Sequence, residues 1–208
     1  MTDTARPEIG RTVDAAGIAT NVLEAGPAGA PTVLLLHGSG PGVSAYANWR
    51  LTIPTLSETL RVIAPDAVGF GFTERPEGIT YSMQQWVDQA VGLLDTLGIE
   101  RTHLVGNSFG GALALHLAAT HPDRVDRLVL MGSVGVDFEI TQGLDDVWGY
   151  EPSIETMRRL LDLFAYDRTL VNGAYHEAAA EKTAPAYAAT ATLARLAQEE
   201  GVAQKSAA

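Results

Sequence analysis

Thr102-His103-Leu104-Val105-Gly106-Asn107-Ser108-Phe109-Gly110-Gly111-Ala112-Leu113-Ala114-Leu115-His116-Leu117-Ala118 is the stretch whose reading decides the fold. A short apolar run leads into Gly-x-Ser-x-Gly, and an apolar segment rich in Ala and Leu follows. The order is strand, very tight turn, helix. Gly106-x-Ser108-x-Gly110 has the form of a nucleophile elbow. Such a turn strains the Ser backbone so that its hydroxyl stands clear of the sheet edge. Its glycines are required because a Cβ there would strike the neighbouring strand or helix. The helix that follows aims its first N–H groups at a developing oxyanion. The five residues alone are a common pattern, and a loop serine is usually just solvated. The strand before and the helix after make Ser108 the candidate nucleophile.

Working outward, the same alternation repeats. Residues 9–24 suggest a hairpin turning at Ala15-Ala16-Gly17, with Val13 on one arm and Ile18, Val22 and Leu23 on the other. Thr32–Leu36 is a continuous apolar run, as in a strand buried on both faces, and ends in His37-Gly38-Ser39-Gly40-Pro41-Gly42. A helix is expected near Asn48–Leu60, a strand at Arg61–Pro65, and a helix from a Ser82 cap to Leu97 with Gly98 as its stop. Val125–Met131 is the sixth strand. This rhythm predicts a mostly parallel α/β sheet flanked by helices. Its Gly-rich loops place His37–Gly42, Asp66 and Ser108 along one edge, where such sheets bind ligands.

Composition narrows the classes. The 208 residues are 46% hydrophobic and 19% charged, ordinary for one globular domain. A net charge of −11 without a basic run argues against nucleic acid. With no cysteine there are neither disulfides nor thiolate metal sites. No histidine or carboxylate cluster has metal-ligand spacing, and the glycines do not fit a nicotinamide site, so no cofactor is expected. Met1–Arg11 is polar and carries Asp3 and Glu8, unlike a signal peptide. No apolar run approaches a membrane span. The expectation is a cytoplasmic protein acting on a small molecule, away from membranes.

After Gly132 the rhythm is lost and no further strand is expected. Ser153 is a candidate cap for a helix with Ile154, Met157, Leu160, Leu161 and Phe164 on one face. From Gly173 on, 14 of the last 36 residues are Ala and none is Ile, Phe or Trp, so a packed layer is not expected there. Leu193 and Leu196 could share a helix in this tail.

Several of these segments together resemble the α/β-hydrolase superfamily, and within it the meta-cleavage product hydrolases of aromatic degradation, of the 2-hydroxymuconic semialdehyde type. The resemblance is carried by His37-Gly38-Ser39-Gly40-Pro41-Gly42-Val43-Ser44-Ala45-Tyr46-Ala47-Asn48-Trp49-Arg50, by Pro65–Pro76 with its Gly69-Phe70-Gly71-Phe72, and by Gly106–Gly111. Leu130–Gly135 and Val147–Tyr150 extend it, so that it covers about residues 9–172. It implies an incomplete α/β-hydrolase fold: the front six strands in 1–134, part of a helical lid in 135–172, and an atypical tail in 173–208. It also implies hydrolysis of a carbon–carbon bond in a 2-hydroxy-6-oxo-dienoate. Ser108 matches the nucleophile. Ser39 and the amide of Phe109 match the oxyanion hole. Gly38, Gly40, Asn48 and Asn107 match residues around the substrate's acid and enol end. Without the resemblance, Asn48 reads equally well as a helix cap.

A serine nucleophile needs a base, and the base an orienting carboxylate, in the order Ser, acid, His on loops after later strands. Neither is found. His176 lies in the tail with no strand to deliver it, His37 reads as an orienter of its loop, and His103, His116 and His121 as core, helix-surface and turn residues. Asp66 reads as a loop anchor, while Asp137, Asp145, Asp146, Asp162 and Asp167 read as lid surface or caps. The expected molecule is therefore the front of such a hydrolase, cut short or out of register after about Val171, and held in a homo-oligomer. A non-catalytic scaffold and a carboxylesterase are the alternatives.

Overall fold

The computed structural model describes residues 6–40, 42–135, 138–151, 153–165 and 203–205. They fall into two units. One comprises Met1–Ser39 and Val43–Gly135, the other Gly40–Gly42 and Val136–Ala208.

The first unit is built on a six-stranded sheet. Its strands are β1 (Arg11–Ala15), β2 (Ile18–Ala25), β3 (Thr32–Leu36), β4 (Arg61–Pro65), β5 (Thr102–Asn107) and β6 (Val125–Met131), in the order β1-β2-β4-β3-β5-β6. The hairpin β1–β2 is antiparallel and turns on Ala16 and Gly17, both at positive φ, the geometry of a two-residue turn that matches strand twist. β2 lies antiparallel to β4, and β4, β3, β5 and β6 run parallel to their neighbours. Because β3 is followed by β4 on one side and paired with β5 on the other, the loops leaving β3 and β5 diverge around a switch point. Leu36 pairs with Gly106, so those two loops leave the sheet side by side.

Helix α3 (Met83–Thr96) begins at the expected cap, where Ser82 Oγ accepts the Gln85 N–H at 3.1 Å. It buries Trp86, Val87, Ala90, Leu93 and Leu94 on one face. Helix α4 (Phe109–Thr120) follows Ser108 directly and buries Phe109, Leu113, Ala114 and Leu117. The single helix expected near Asn48–Leu60 is two short ones instead, α1 (Ala45–Trp49) and α2 (Ile53–Leu56). Pro54 explains the break: it starts a helix well but cannot donate to a preceding turn. Beneath α1, Trp49 packs with Leu23, Val33, Leu35, Val62 and Ala64.

The second unit corrects the expectation that no strand follows β6. β7 (Phe138–Ile140) and β8 (Ala203–Lys205) pair in parallel as a separate two-stranded sheet. Strands of three residues are too short to show an alternating pattern, and β8 sits among alanines. Helices α5 (Gln142–Trp148) and α6 (Ile154–Phe164) belong to the same unit. Ser153 caps α6 through the Thr156 N–H as expected, and Met157 and Leu160 are buried. Ile154 and Phe164, expected on the same buried face, are exposed. Most of the 173–208 tail, including His176, Leu193 and Leu196, lies outside the described residues, as do Asp137 and Asp167. Among the described residues no helix is long and apolar enough to cross a membrane.

Candidate active site

Ser108 sits between β5 and α4 at φ +53°, ψ −116°, one of two non-glycine residues at positive φ among those described. A side chain there costs of order 1–3 kcal/mol unless the surroundings hold it. The holding groups are all backbone. Ser108 N–H donates to Met131 O at 2.9 Å, and its carbonyl accepts from Gly111 N at 2.9 Å and from Ala112 N and Val134 N at 3.3 Å. The elbow glycines meet the steric demand set by the sequence. A Cβ on Gly106 would overlap the Gly110 carbonyl, and one on Gly110 the Leu36 carbonyl of β3.

The loop after β3 closes over the serine. An ideal Cβ on Gly38 would stand 3.2 Å from Asn107 Nδ2 and 3.4 Å from Ser108 Cβ. Gly38 N–H donates to Asn48 Oδ1 at 2.9 Å, and Asn107 Nδ2 donates to the same oxygen at 3.1 Å. Asn48 is thus inside α1 and bridges two loops, and the cap of that helix is Ser44. With its oxygen engaged twice, Asn48 offers a ligand only its Nδ2 donors, while Asn107 offers its oxygen. The Gly38 N–H is taken, whereas the amide of Phe109, the first residue of α4, has no intrahelical acceptor. Phe109 is fixed by its ring: Trp86 meets it edge to face at 4.9 Å, and Phe70 lies 6.1 Å away. Trp86 is itself tied down by Nε1–H donating to Val68 O at 2.9 Å. Gly40 is grouped with the second unit and so is not placed with these residues.

His37 behaves as an orienter. Its Nδ1–H donates to Gly38 O at 2.7 Å and its Nε2 accepts from Ala67 N at 2.9 Å. Burial holds its pKa below the ordinary 6.5, against the raising effects of the Asp66 charge and the Gly38 bond. The ring is therefore neutral and has no nitrogen left for Ser108. His103 faces Asp126 at 3.2 Å, and His121 Nδ1 lies 2.8 Å from Thr120 Oγ1. Among the described residues no side chain hydrogen-bonds the Ser108 hydroxyl, and no three His, Asp or Glu gather as metal ligands.

Asp66 is fully buried and anchors its loop. Its Oδ1 accepts from Ala45 N at 2.6 Å, and its Oδ2 from Asn21 Nδ2 and Phe72 N, both at 2.8 Å. Gln89 joins this network by donating to Thr20 Oγ1 and accepting from Val68 N. Sequence reading missed Asn21 and Gln89. Their signal was a polar residue on an otherwise apolar face, Asn21 among Val22 and Leu23, Gln89 between Trp86, Val87, Ala90 and Leu93.

A serine at positive φ between a parallel strand and a helix, with a glycine loop packed against it, is the elbow arrangement of the α/β-hydrolase fold. Residues 31–180 match the model of the α/β hydrolase fold family. The chain is 63% identical over 166 residues to the 2-hydroxymuconate semialdehyde hydrolase of Pseudomonas sp. (strain CF600), covering 80% of this chain and 58% of that protein. It is 62% identical over 165 residues to a 2-hydroxy-6-oxo-2,4-heptadienoate hydrolase of Pseudomonas putida, covering 79% of this chain and 59% of that protein. Among solved structures it resembles the meta-cleavage product hydrolase CumD of Pseudomonas fluorescens IP01, in a substituted form with acetates, at a TM-score of 0.83 and 51% identity; the match covers 95% of this chain and 74% of that one. The chain belongs to the α/β-hydrolase family, in its meta-cleavage product hydrolase branch. It spans a little under three fifths of the length of the two curated relatives.

Proposed function

We propose that this chain carries the nucleophile half of a hydrolase that cleaves the carbon–carbon bond of a 2-hydroxy-6-oxo-dienoate of the 2-hydroxymuconic semialdehyde type. The observation that supports it most is Ser108 at φ +53° with Gly38 closed against it and the Phe109 amide beside it. On this reading the dienol ketonises by proton transfer. A nucleophile, from Ser108 or from water, then adds to the 6-oxo carbonyl, and the electron pair of the broken bond leaves as a dienolate. The Ser39 and Phe109 amides hold the oxyanion. Asn48 Nδ2 donates to the acid or enol end, Asn107 Oδ1 accepts from the enol hydroxyl, and Gly38, without a side chain, gives the ligand room. The names of the relatives support the substrate class. The reading includes a cytoplasmic location and needs no metal or cofactor. It takes residues 1–134 as the front of the core, 135–172 as the start of a lid, and 173–208 as a separate tail.

In a full-length relative with this front half, Ser108→Ala should abolish turnover of the yellow dienol while leaving binding measurable. Losses of about 10³ or more follow removal of a serine nucleophile. Turnover within about tenfold of the parent would mean that water attacks directly and Ser108 is only a ligand.

A second reading, a non-catalytic scaffold, draws on one observation: no described histidine reaches Ser108. A neutral hydroxyl without a positioned base is a poor nucleophile at pH 7. The 208-residue chain by itself is therefore expected to leave the dienol absorbance at background at micromolar protein. Multiple turnover abolished by Ser108→Ala would reveal a base, and His176→Ala would be the next variant. Turnover of simple esters but not of the dienol would favour a carboxylesterase.

A further inference from the structure

We propose that Asp66 is a positioning residue for the active-site loops: through the Ala45 N–H it sets helix α1, and through α1 it sets the Asn48 oxygen that joins Gly38 to Asn107. The inference rests on the reading that Gly38, Ser39 and Ser108 form the site. The measurement proposed for it needs no turnover.

Asp66 is a carboxylate at 0% exposure with no cation within ion-pair distance among the described residues. Burying such a group is costly unless several donors converge on it. Its three donors come from three separate pieces of chain: Asn21 on β2, Ala45 at the start of α1, and Phe72 in the loop after β4. Simple loop anchoring would need only Phe72. Asn21 is committed to the same task, since it also accepts from Gly10 N, donates to Glu8 O, and pairs its backbone with Thr73 Oγ1 and Asp66 N. The platform under Asp66 is therefore rigid.

The grip on Ala45 has a direct consequence. A helix of five residues is unstable by itself and takes its position from what it touches. Trp49 pins the last residue of α1 in the core at 1% exposure, and Asp66 pins the first. Asn48 lies three residues beyond Ala45, so it is fixed when both ends are. Asn48 Oδ1 is the one acceptor shared by Gly38 N–H and Asn107 Nδ2. If the first turn of α1 shifts, that oxygen moves and the Gly38 amide loses its partner. The glycine loop then loses its reference to the strand that carries Ser108.

Amide hydrogen exchange at Gly38 in the 208-residue chain reads this directly. In Asp66→Asn, whose side-chain NH₂ cannot replace every acceptor, Gly38 protection should fall about tenfold, the scale of one lost hydrogen bond. Leu104 and Val105 in β5 should keep theirs. Asn48→Ala should expose Gly38 to the same degree, and Asn48→Asp, which keeps an acceptor, should restore it. Adding Asp66→Asn to Asn48→Ala should change Gly38 no further. Unchanged Gly38 exchange in Asp66→Asn, an additive effect in the double variant, or a loss shared equally by Leu104 would each overturn the proposal. Should Asp66→Asn not fold, Asp66→Glu carries the same test by displacing the carboxylate one methylene. Failure of both to fold would also overturn it, because Asp66 would then support the fold as a whole and not one helix.

Discussion

At the scale of single residues, the elbow is a set of exclusions more than a set of attractions. Gly110 has the carbonyl of Leu36 where a Cβ would go, and the backbone of β3 cannot move aside without breaking its pairing with β5. Gly110→Ala should therefore cost about 3 kcal/mol, the upper end for overpacking, read as a drop in the denaturation midpoint. This much was legible in the sequence, because a serine with glycine two residues to either side, between strand and helix, demands a turn without room for Cβ atoms. The buried polar hub was not. Asn21 and Gln89 sit within apolar elements, and which backbone groups they satisfy depends on a loop between residues 66 and 73 that sequence periodicity does not place. His37 was legible as an orienter, and its titration follows. Its folded pKa lies below the unfolded 6.5, so between the two values only the unfolded chain holds the proton. Stability should therefore fall as pH is lowered through about 6.5. Denaturant unfolding at pH 7.5 and 5.5 checks this, and His37→Gln should flatten that part of the profile.

At the scale of elements, local signals succeeded where a cap or a turn is written in neighbouring residues. Ser82 and Ser153 both accept the N–H three residues on, as expected. Ser82→Ala should destabilise the first unit by about 1 kcal/mol, the usual value of a lost cap, in a thermal melt. The division of the Asn48–Leu60 segment was missed because its apolar residues fit one helix while Pro54 and the core under Trp49 require two. The hairpin carries a further test. Glu24 on β2 holds Arg11 of β1 at 2.8 Å and Arg61 of β4 at 2.7 Å, tying three strands together. Burial alone would raise its pKa, but the hydrogen bond and charge of Arg61, with those of Arg11, outweigh it and leave the carboxyl below the ordinary 4.5. A depressed carboxyl contributes stability above its unfolded value and loses it as pH falls through the folded one. Glu24→Gln should thus cost about 0.5–1 kcal/mol at pH 7, discounted for solvent screening, and less at high salt. The difference between variant and parent should shrink as pH is lowered below the ordinary 4.5.

At the scale of the whole molecule, the sheet of the first unit ends on β6, where Val129, Leu130 and Met131 are 53%, 41% and 47% exposed. The sequence indicated this edge because the alternation of strand and helix stops there; it did not indicate β7 and β8, which form a sheet of their own. Because these side chains are already about half covered, covering the rest is worth only about 1 kcal/mol each, but an open apolar edge recruits strands from other chains. We expect the 208-residue chain to stay in solution only as a homo-oligomer or with a chaperone, with fast amide exchange along β6. A monomer that unfolds cooperatively and protects Val125–Met131 would refute this. The same strand reaches Ser108. Met131 O receives the Ser108 N–H, and Val134, three residues further on, donates to the Ser108 carbonyl. Both peptide groups that flank Ser108 are therefore moored to β6 and the residues just after it, at the border of the sheet. The Ser108 amide is thus a built-in gauge of that border: whatever frays β6 should loosen the serine, and whatever lays a strand along it should tighten the serine, without touching the pocket.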